Sequence, residues 1–345
     1  MDLCGDIPNK FFFLSIVNDF GPFVDLPCSH KIIGMHTILG AGGPVANSLT
    51  KVLSTAGEIV RLVSRKPIQN QGTVTWMGAD LKDLEQLKKA VDGSTIIYLC
   101  AGLQYNKKVW AEEWPVIMQN VIDATRSVNA RLIFFDNVYM YGCVKGVMTE
   151  ETPYNPASKK GETRAKIAEQ LMSEAQAGNI RACIARAADF YGAESMNSFF
   201  DSMVLARFAK KQKAMWLGDA SKKHSFTYVP DTGKALYTLA KDPVSDNQVW
   251  HLPTSSAVTG TQLIHLAAKE FNVKPGYMEV NKLLLNAIGL FNKLIQETSE
   301  MYYQYQHDYI FSSQKFEKRY NLHPSKYEEG ISQFAKFLKG KVNNR

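Results

Sequence analysis

The residues best placed to do chemistry come early. Gly40-Ala41-Gly42-Gly43-Pro44-Val45-Ala46 follows the short run His36-Thr37-Ile38-Leu39 and opens a segment of helical spacing. Strand, glycine turn and helix in that order aim backbone N–H groups and a positive helix end at a phosphate. Gly40 permits the tight turn, and Gly42 and Gly43 let the backbone approach a pyrophosphate. Pro44 and Val45 lead into the helix, and Ala46 lets helix and strand pack closely. The pattern predicts a dinucleotide site. An acidic residue at the tip of the second strand would accept hydrogen bonds from the ribose 2′-OH of NAD, but the chain reads Val63-Ser64-Arg65-Lys66. Ser64 does not repel a phosphate, Arg65 can pair with one bidentately, and Lys66 adds a point charge. NADP is therefore expected in preference to NAD. Asp80 can reach the adenine amino group with Leu81 against the ring, and Asp80 can equally cap the following helix. Ala101 and Gly102 are small where the chain must pass beneath the dinucleotide, and Cys100 reads as a buried thiol.

The elements that must position these residues follow a regular rhythm. Strands are expected at 36–39, 59–63, 74–77, 95–99, 131–135 and 181–185, separated by helices of ten or more residues in most intervals. That alternation marks βαβ units and a parallel sheet covered on both faces. The fold expected is α/β: a Rossmann-type doubly wound parallel sheet over 35–190, with a smaller, partly helical C-terminal substrate domain over 191–338 that can return a strand or helix to the first domain. Residues 1–34 differ in pattern and are expected to be an extension outside the core. The stretch 281–305 is expected to be one long helix. Its stripe of Leu283, Leu284, Ile288, Phe291 and Ile295 would be domain core, or else the contact of a homodimer.

Composition removes several classes. With 21% charged and 11% aromatic residues in 345, the chain has too little charge and too many aromatics for intrinsic disorder. The five Cys form no CxxC pair and the seven His no HxxxH or HExxH pattern, so neither a disulfide framework nor a metal site is expected. No window has 18 consecutive apolar residues, so no membrane partner is expected. A net charge of +7 without a recognition motif does not suggest nucleic acid. A small-molecule substrate and a cytoplasmic location fit best. Lys210, Lys211, Lys213, Lys222, Lys223 and His224 are either a solvated face or a receiver for an anionic substrate.

The glycine turn resembles that of the extended short-chain dehydrogenase/reductase family, the NAD-dependent epimerase/dehydratase group. The resemblance continues through Gly78-Ala79-Asp80-Leu81, Tyr98-Leu99-Cys100-Ala101, Asn120, Phe135 to Gly142, Glu151-Thr152-Pro153 and Ala185 to Gly192. Phe311 to Phe316 and Tyr327 to Gly330 are similar to its closing elements. It implies hydride chemistry on a carbonyl or secondary alcohol of a small metabolite or sugar derivative. The family uses a Tyr as acid/base, a Lys four residues on to lower its pKa, and a Ser or Thr to hold the substrate oxygen.

This chain departs at all three places. Asn137 stands where the hydroxyl residue belongs. In one register Gly161 and Ala165 take the seats of the Tyr–Lys pair; in the other, Lys160 and Arg164 do. Asn137 is expected to orient the substrate oxygen, Lys160 to serve as the replacement proton-transfer group and Arg164 to tune it. Tyr139, Tyr141 and Tyr154 are alternative phenols, and the formal Tyr141–Lys145 match lies in a loop around Gly142. Two functions follow: an oxidoreductase or epimerase/dehydratase-like enzyme with altered catalytic residues, or a catalytically inactive NADP-binding sensor.

Overall fold

The structure, a computed structural model, describes residues 34–192 and 198–343. The extension expected at 1–34 lies almost wholly outside the described residues. Strands β1 (Met35–Leu39), β2 (Ile59–Ser64), β3 (Val74–Gly78), β4 (Ser94–Leu99), β5 (Arg131–Asp136), β6 (Val147–Met148), β7 (Arg181–Arg186), β8 (Asp189–Tyr191), β9 (Ala214–Leu217), β10 (Lys223–His224), β11 (Phe226–Tyr228) and β12 (Val249–His251) run in chain order. Among the described residues the main sheet has seven parallel strands in the order β12-β7-β5-β4-β1-β2-β3. Reversal of direction between β1 and β4 creates the crevice at their carboxyl ends where such sheets bind ligands.

Helices α1 (Pro44–Thr55), α2 (Leu84–Val91), α3 (Lys107–Ser127) and α4 (Lys159–Gln176) connect the first strands. Helix α3 buries Trp110, Trp114, Ile117, Met118, Val121 and Ile122 at helical spacing. They join Leu99, Leu132, Phe134, Ile167 and Leu171 in one core. The near-continuous apolar runs of β4 and β5 are what burial on both faces demands.

The chain then passes through the short α5 (Ala206–Ala209) to α6 (Val229–Lys241), which packs on α1. A Cβ at Gly233 would lie 2.5 Å from Ser48 Oγ, so only glycine permits that approach. Strand β12 pairs with β7 and extends the sheet from far beyond residue 190. A second core gathers Tyr191, Phe200, Trp216, Phe226, Leu263, Tyr305 and Phe334, roofed by α7 (Gly260–Glu270) and α11 (Tyr327–Asn343), with α10 (Gln314–Tyr320) beside β12.

The single helix expected over 281–305 is broken. It forms α8 (Lys282–Gly289), α9 (Lys293–Thr298) and a 3₁₀ segment, Ser299–Tyr305. Gly289 lets the two helices meet: a Cβ there would sit 3.2 Å from Gln296 Cα. The apolar stripe is core only in part. Leu283 and Phe291 are 81% and 93% exposed, whereas Ile295 packs, partly buried, on the second core beside the buried Leu285.

Candidate functional site

Each dinucleotide residue named from the sequence lies at the carboxyl edge of the sheet. Gly40 adopts φ +82° and Gly42 φ +93°, conformations that exclude most side chains. The N–H groups of Gly40 and Ala41 both donate to Val63 O at 3.0 Å, tying the turn to the end of β2. Gly43 is the N-cap of α1, with no side chain satisfying the first helical amides and Pro44 following. A Cβ at Gly43 or Gly102 would meet nothing within 4 Å. This open cradle over a helix N-terminus fits a pyrophosphate.

Just past β3, the Asn120 amide donates to Leu81 O at 3.1 Å. The helix cap expected of Asp80 belongs to Asp83, which accepts from the Glu85 and Gln86 N–H groups. Asp80 instead accepts from Lys82 N–H at 3.0 Å and is half-buried. Cys100, between Leu99 and Ala101, is half-buried and its thiol is pushed up to about 12 by desolvation, which leaves it no nucleophile at neutral pH.

Asn137 sits just past β5. Its Oδ1 accepts from Tyr139 N–H at 3.0 Å, which leaves the NH₂ group as its donor to the cleft. Lys160 is fully buried, and its ammonium donates to Glu297 Oε2 at 2.8 Å, to Glu297 O at 3.0 Å and to Glu300 Oε1. Those carboxylates also accept from Lys107 N–H and Lys159 N–H, at the starts of α3 and α4. Arg164 points elsewhere. Its guanidinium lies 3.3 Å from Asp136 and stacks on Trp114 and Trp110 at 4.2 and 4.9 Å. Burial lowers the Arg164 pKa, opposed by Asp136, and burial raises that of Asp136 despite Arg164 and Arg186. Lys160 and Arg164 thus share a helix but have separate partners.

The alternative phenols divide in the same way. Tyr141 accepts from Arg186 Nη1 at 2.8 Å and donates to His251 Nε2 at 2.7 Å, while Tyr154 accepts from Arg186 Nη2. Tyr139 remains at the cleft, half-buried, stacked on Trp110 and facing Tyr105. Desolvation first, then Tyr105 and Asp189, push its pKa well above the ordinary phenol.

Sequence reasoning missed the group beside it. Asp189, at the start of β8, is paired through Oδ2 with His224 Nε2 at 3.1 Å and accepts from the Tyr305 hydroxyl at 2.9 Å. Asp189 lay unremarked within the stretch ending at Gly192, and His224 within a basic run. Of that run, Lys210, Lys211, Lys213 and Lys223 are exposed, but His224 is buried. Their 35-residue separation gives no local signal.

A parallel sheet with a crevice at its switch point, a glycine cradle and half-exposed polar groups beside it defines a Rossmann-type dinucleotide-binding protein. The NAD dependent epimerase/dehydratase family matches residues 36–252, well over half of the chain, and the chain belongs to that family. MoeE5, solved with UDP-glucuronic acid and NAD, superposes with a TM-score of 0.72 at 18% identity, covering 89% of this chain and 100% of that one. The dTDP-glucose 4,6-dehydratase of Bacillus anthracis with NAD gives 0.76 at 12% identity, covering 90% and 98%. Thermus thermophilus UDP-glucose 4-epimerase with NAD gives 0.71 at 16%, covering 89% and 99%. In sequence, 3beta-hydroxysteroid-dehydrogenase/decarboxylase isoform 2 of Arabidopsis thaliana is 28% identical over 181 residues. That match takes in 48% of this chain and 30% of the relative's length.

The preference for NADP over NAD expected from Ser64, Arg65 and Lys66 is overturned, since the three similar structures are all complexes with NAD. The local geometry gives a reason. The Ser64 hydroxyl donates to Lys66 O at 2.7 Å and accepts from Trp76 Nε1 at 3.1 Å, so it is engaged within the turn. Arg65 and Lys66 are exposed side chains, where a charge is well solvated and pairs weakly.

Proposed function

We propose that this protein is an NAD-dependent oxidoreductase or epimerase/dehydratase-type enzyme acting on a carbonyl or secondary alcohol of a small metabolite or sugar derivative. The observation that carries the reading is the open space over Gly43 and Gly102 beside the N-terminus of α1. Gly40, Gly42, Gly43, Pro44 and Val45 would hold the pyrophosphate, Asp80 and Leu81 the adenine, and Ala101 and Gly102 the nicotinamide half. NAD supplies a hydride acceptor when bound. The Asn137 NH₂ would orient the substrate oxygen, and the Tyr139 phenol, held protonated, would donate a second hydrogen bond. Lys160 and Arg164 hold α4 against the C-terminal segment and against β5.

A second reading, an NAD-binding regulatory protein without turnover, is favoured by one observation: Lys160 is fully engaged by Glu297 and Glu300. Fluorescence titration with NADH, followed by assays on UDP-glucose, UDP-glucuronic acid, dTDP-glucose and a 3β-hydroxysteroid that read both NAD reduction and an epimerised or dehydrated product, separates the two. Either readout with any of them supports the enzyme. Tight NAD binding with no turnover supports the regulator, and absence of NAD binding removes both.

A further inference from the structure

The cleft lacks an obvious proton acceptor. Tyr105 and Tyr139 are both pushed far toward their neutral forms, chiefly by desolvation. Tyr141 and Tyr154 serve Arg186, and the Lys160 ammonium is triply bonded. A reaction that removes a hydride from a secondary alcohol must also remove its hydroxyl proton.

Asp189 is a half-buried carboxylate at the start of β8, just past the carboxyl end of β7. Its side chain is 20% exposed, at the edge where Tyr105 and Tyr139 stand. Both of its bonds, from His224 and from Tyr305, fall on Oδ2, and Oδ1 is its second acceptor oxygen. His224 is 2% exposed, with the Tyr305 ring stacked at 4.4 Å and the Tyr309 ring at 5.5 Å. A carboxylate on Nε2 requires Nε2–H there, and the buried Nδ1 has no hydrogen-bond partner. The ring is thus locked in one orientation against Asp189.

We propose that Asp189 is the proton acceptor of this protein's reaction and that His224 is its positioning residue. The inference rests on the hydride-transfer reading above. The substrate O–H bond breaks and its proton binds Asp189 Oδ1. A bound NAD would accept the hydride of the carbinol carbon, and the electron pair left by the proton would complete the C=O bond. In the reverse direction the neutral acid returns the proton to the carbonyl oxygen. Throughout, Oδ2 keeps its bonds from His224 and Tyr305.

The test uses the full chain and the four substrates named above, with Asp189→Asn, Asp189→Glu and His224→Gln. Asp189→Asn should lower kcat about 10²–10⁴-fold and leave KM and NADH affinity within a few-fold. Asp189→Glu should restore part of kcat, and His224→Gln should lower kcat without raising KM. Independently of turnover, ¹⁵N-histidine spectra should show an Nε2–H imidazole at His224 whose Nε2 resonance moves in Asp189→Asn. An active wild type with undiminished Asp189→Asn, or an Nδ1–H tautomer at His224, overturns the assignment while leaving the enzyme. Equal losses of kcat, NADH affinity and melting temperature would make the pair structural and also overturn it. A wild type that binds NADH but neither oxidises, epimerises nor dehydrates any of the substrates removes the hydride-transfer reading and this assignment with it.

Discussion

The carbonyl oxygen of Tyr139 stands 2.6 Å from the position a Cβ on Gly161 would occupy. That seat on α4 is closed by backbone, with Pro156 and Ser158 completing the contact. Ala165, one turn on, packs with Val138, Tyr141 and Phe311. Grafting the family's pair with Gly161→Tyr and Ala165→Lys should therefore not install a working Tyr–Lys couple. We expect a fall in stability of at least about 1–3 kcal/mol, the usual cost of overpacking, seen as a lower melting temperature.

Lys160 and its two carboxylates form a clasp between α4 and the segment Lys293–Tyr305. Breaking one partner of a buried pair typically costs about 3–5 kcal/mol. Lys160→Met should fall in that range by denaturant unfolding, whereas Lys159→Met, whose side chain is 69% exposed, should change little. Equal stability of Lys160→Met and wild type would show that the clasp contributes nothing.

Gly43 separates binding from folding. Its φ of −82° is open to any residue and no protein atom lies within 4 Å of an added Cβ. Gly43→Ala should melt within about 0.5 kcal/mol of wild type yet bind NADH at least ten-fold more weakly, an effect of about 1.4 kcal/mol. Unchanged affinity by titration would place the pyrophosphate elsewhere.

His251 is buried, with Nδ1–H donated to Ser312 O at 2.9 Å and Nε2 accepting from Tyr141. Burial first, then Arg186, hold its pKa well below 6.5. The unfolded chain therefore takes up this proton first as pH falls below about 6.5. Stability from His251 is complete above that pH and is lost on acidification, at up to about 1.4 kcal/mol per pH unit. His36, also lowered by burial, acts in the same direction; Asp136 and Glu150, raised by burial, act in the opposite one. The discriminating measurement is the difference between wild type and His251→Gln, whose unfolding free energy should depend less steeply on pH just below 6.5.

The first half of the fold was legible because its signals are local. The glycine turn, the apolar runs of β1, β2, β4 and β5, and the spacing of Trp110, Trp114 and Met118 each declare themselves within one element. The left-handed backbone of Gly40 and Gly42 could be read for the same reason. What could not be read depends on distant partners. Glu297 and Glu300 reach Lys160 across 137 and 140 residues, and nothing near Lys160 signals that its charge is already compensated. The break at Gly289 was hidden because the apolar pattern runs on through a turn that close packing on Gln296 demands. The cofactor preference failed for a different reason: Ser64 and Arg65 have suitable chemistry, but Trp76, twelve residues on, already engages the serine.

The clasp also imposes an order on synthesis. A nascent chain that has emerged only through α4 and β7 carries a lysine destined for a site with no water, and its two counter-charges have yet to be translated. That ammonium must stay hydrated, and α4 unseated around it, until Glu300 leaves the ribosome. The sheet is likewise short of an edge strand until β12 appears. The sheet-forming half of this protein is therefore written first but finished last, and fragments ending near residue 190 should be held by chaperones or degraded.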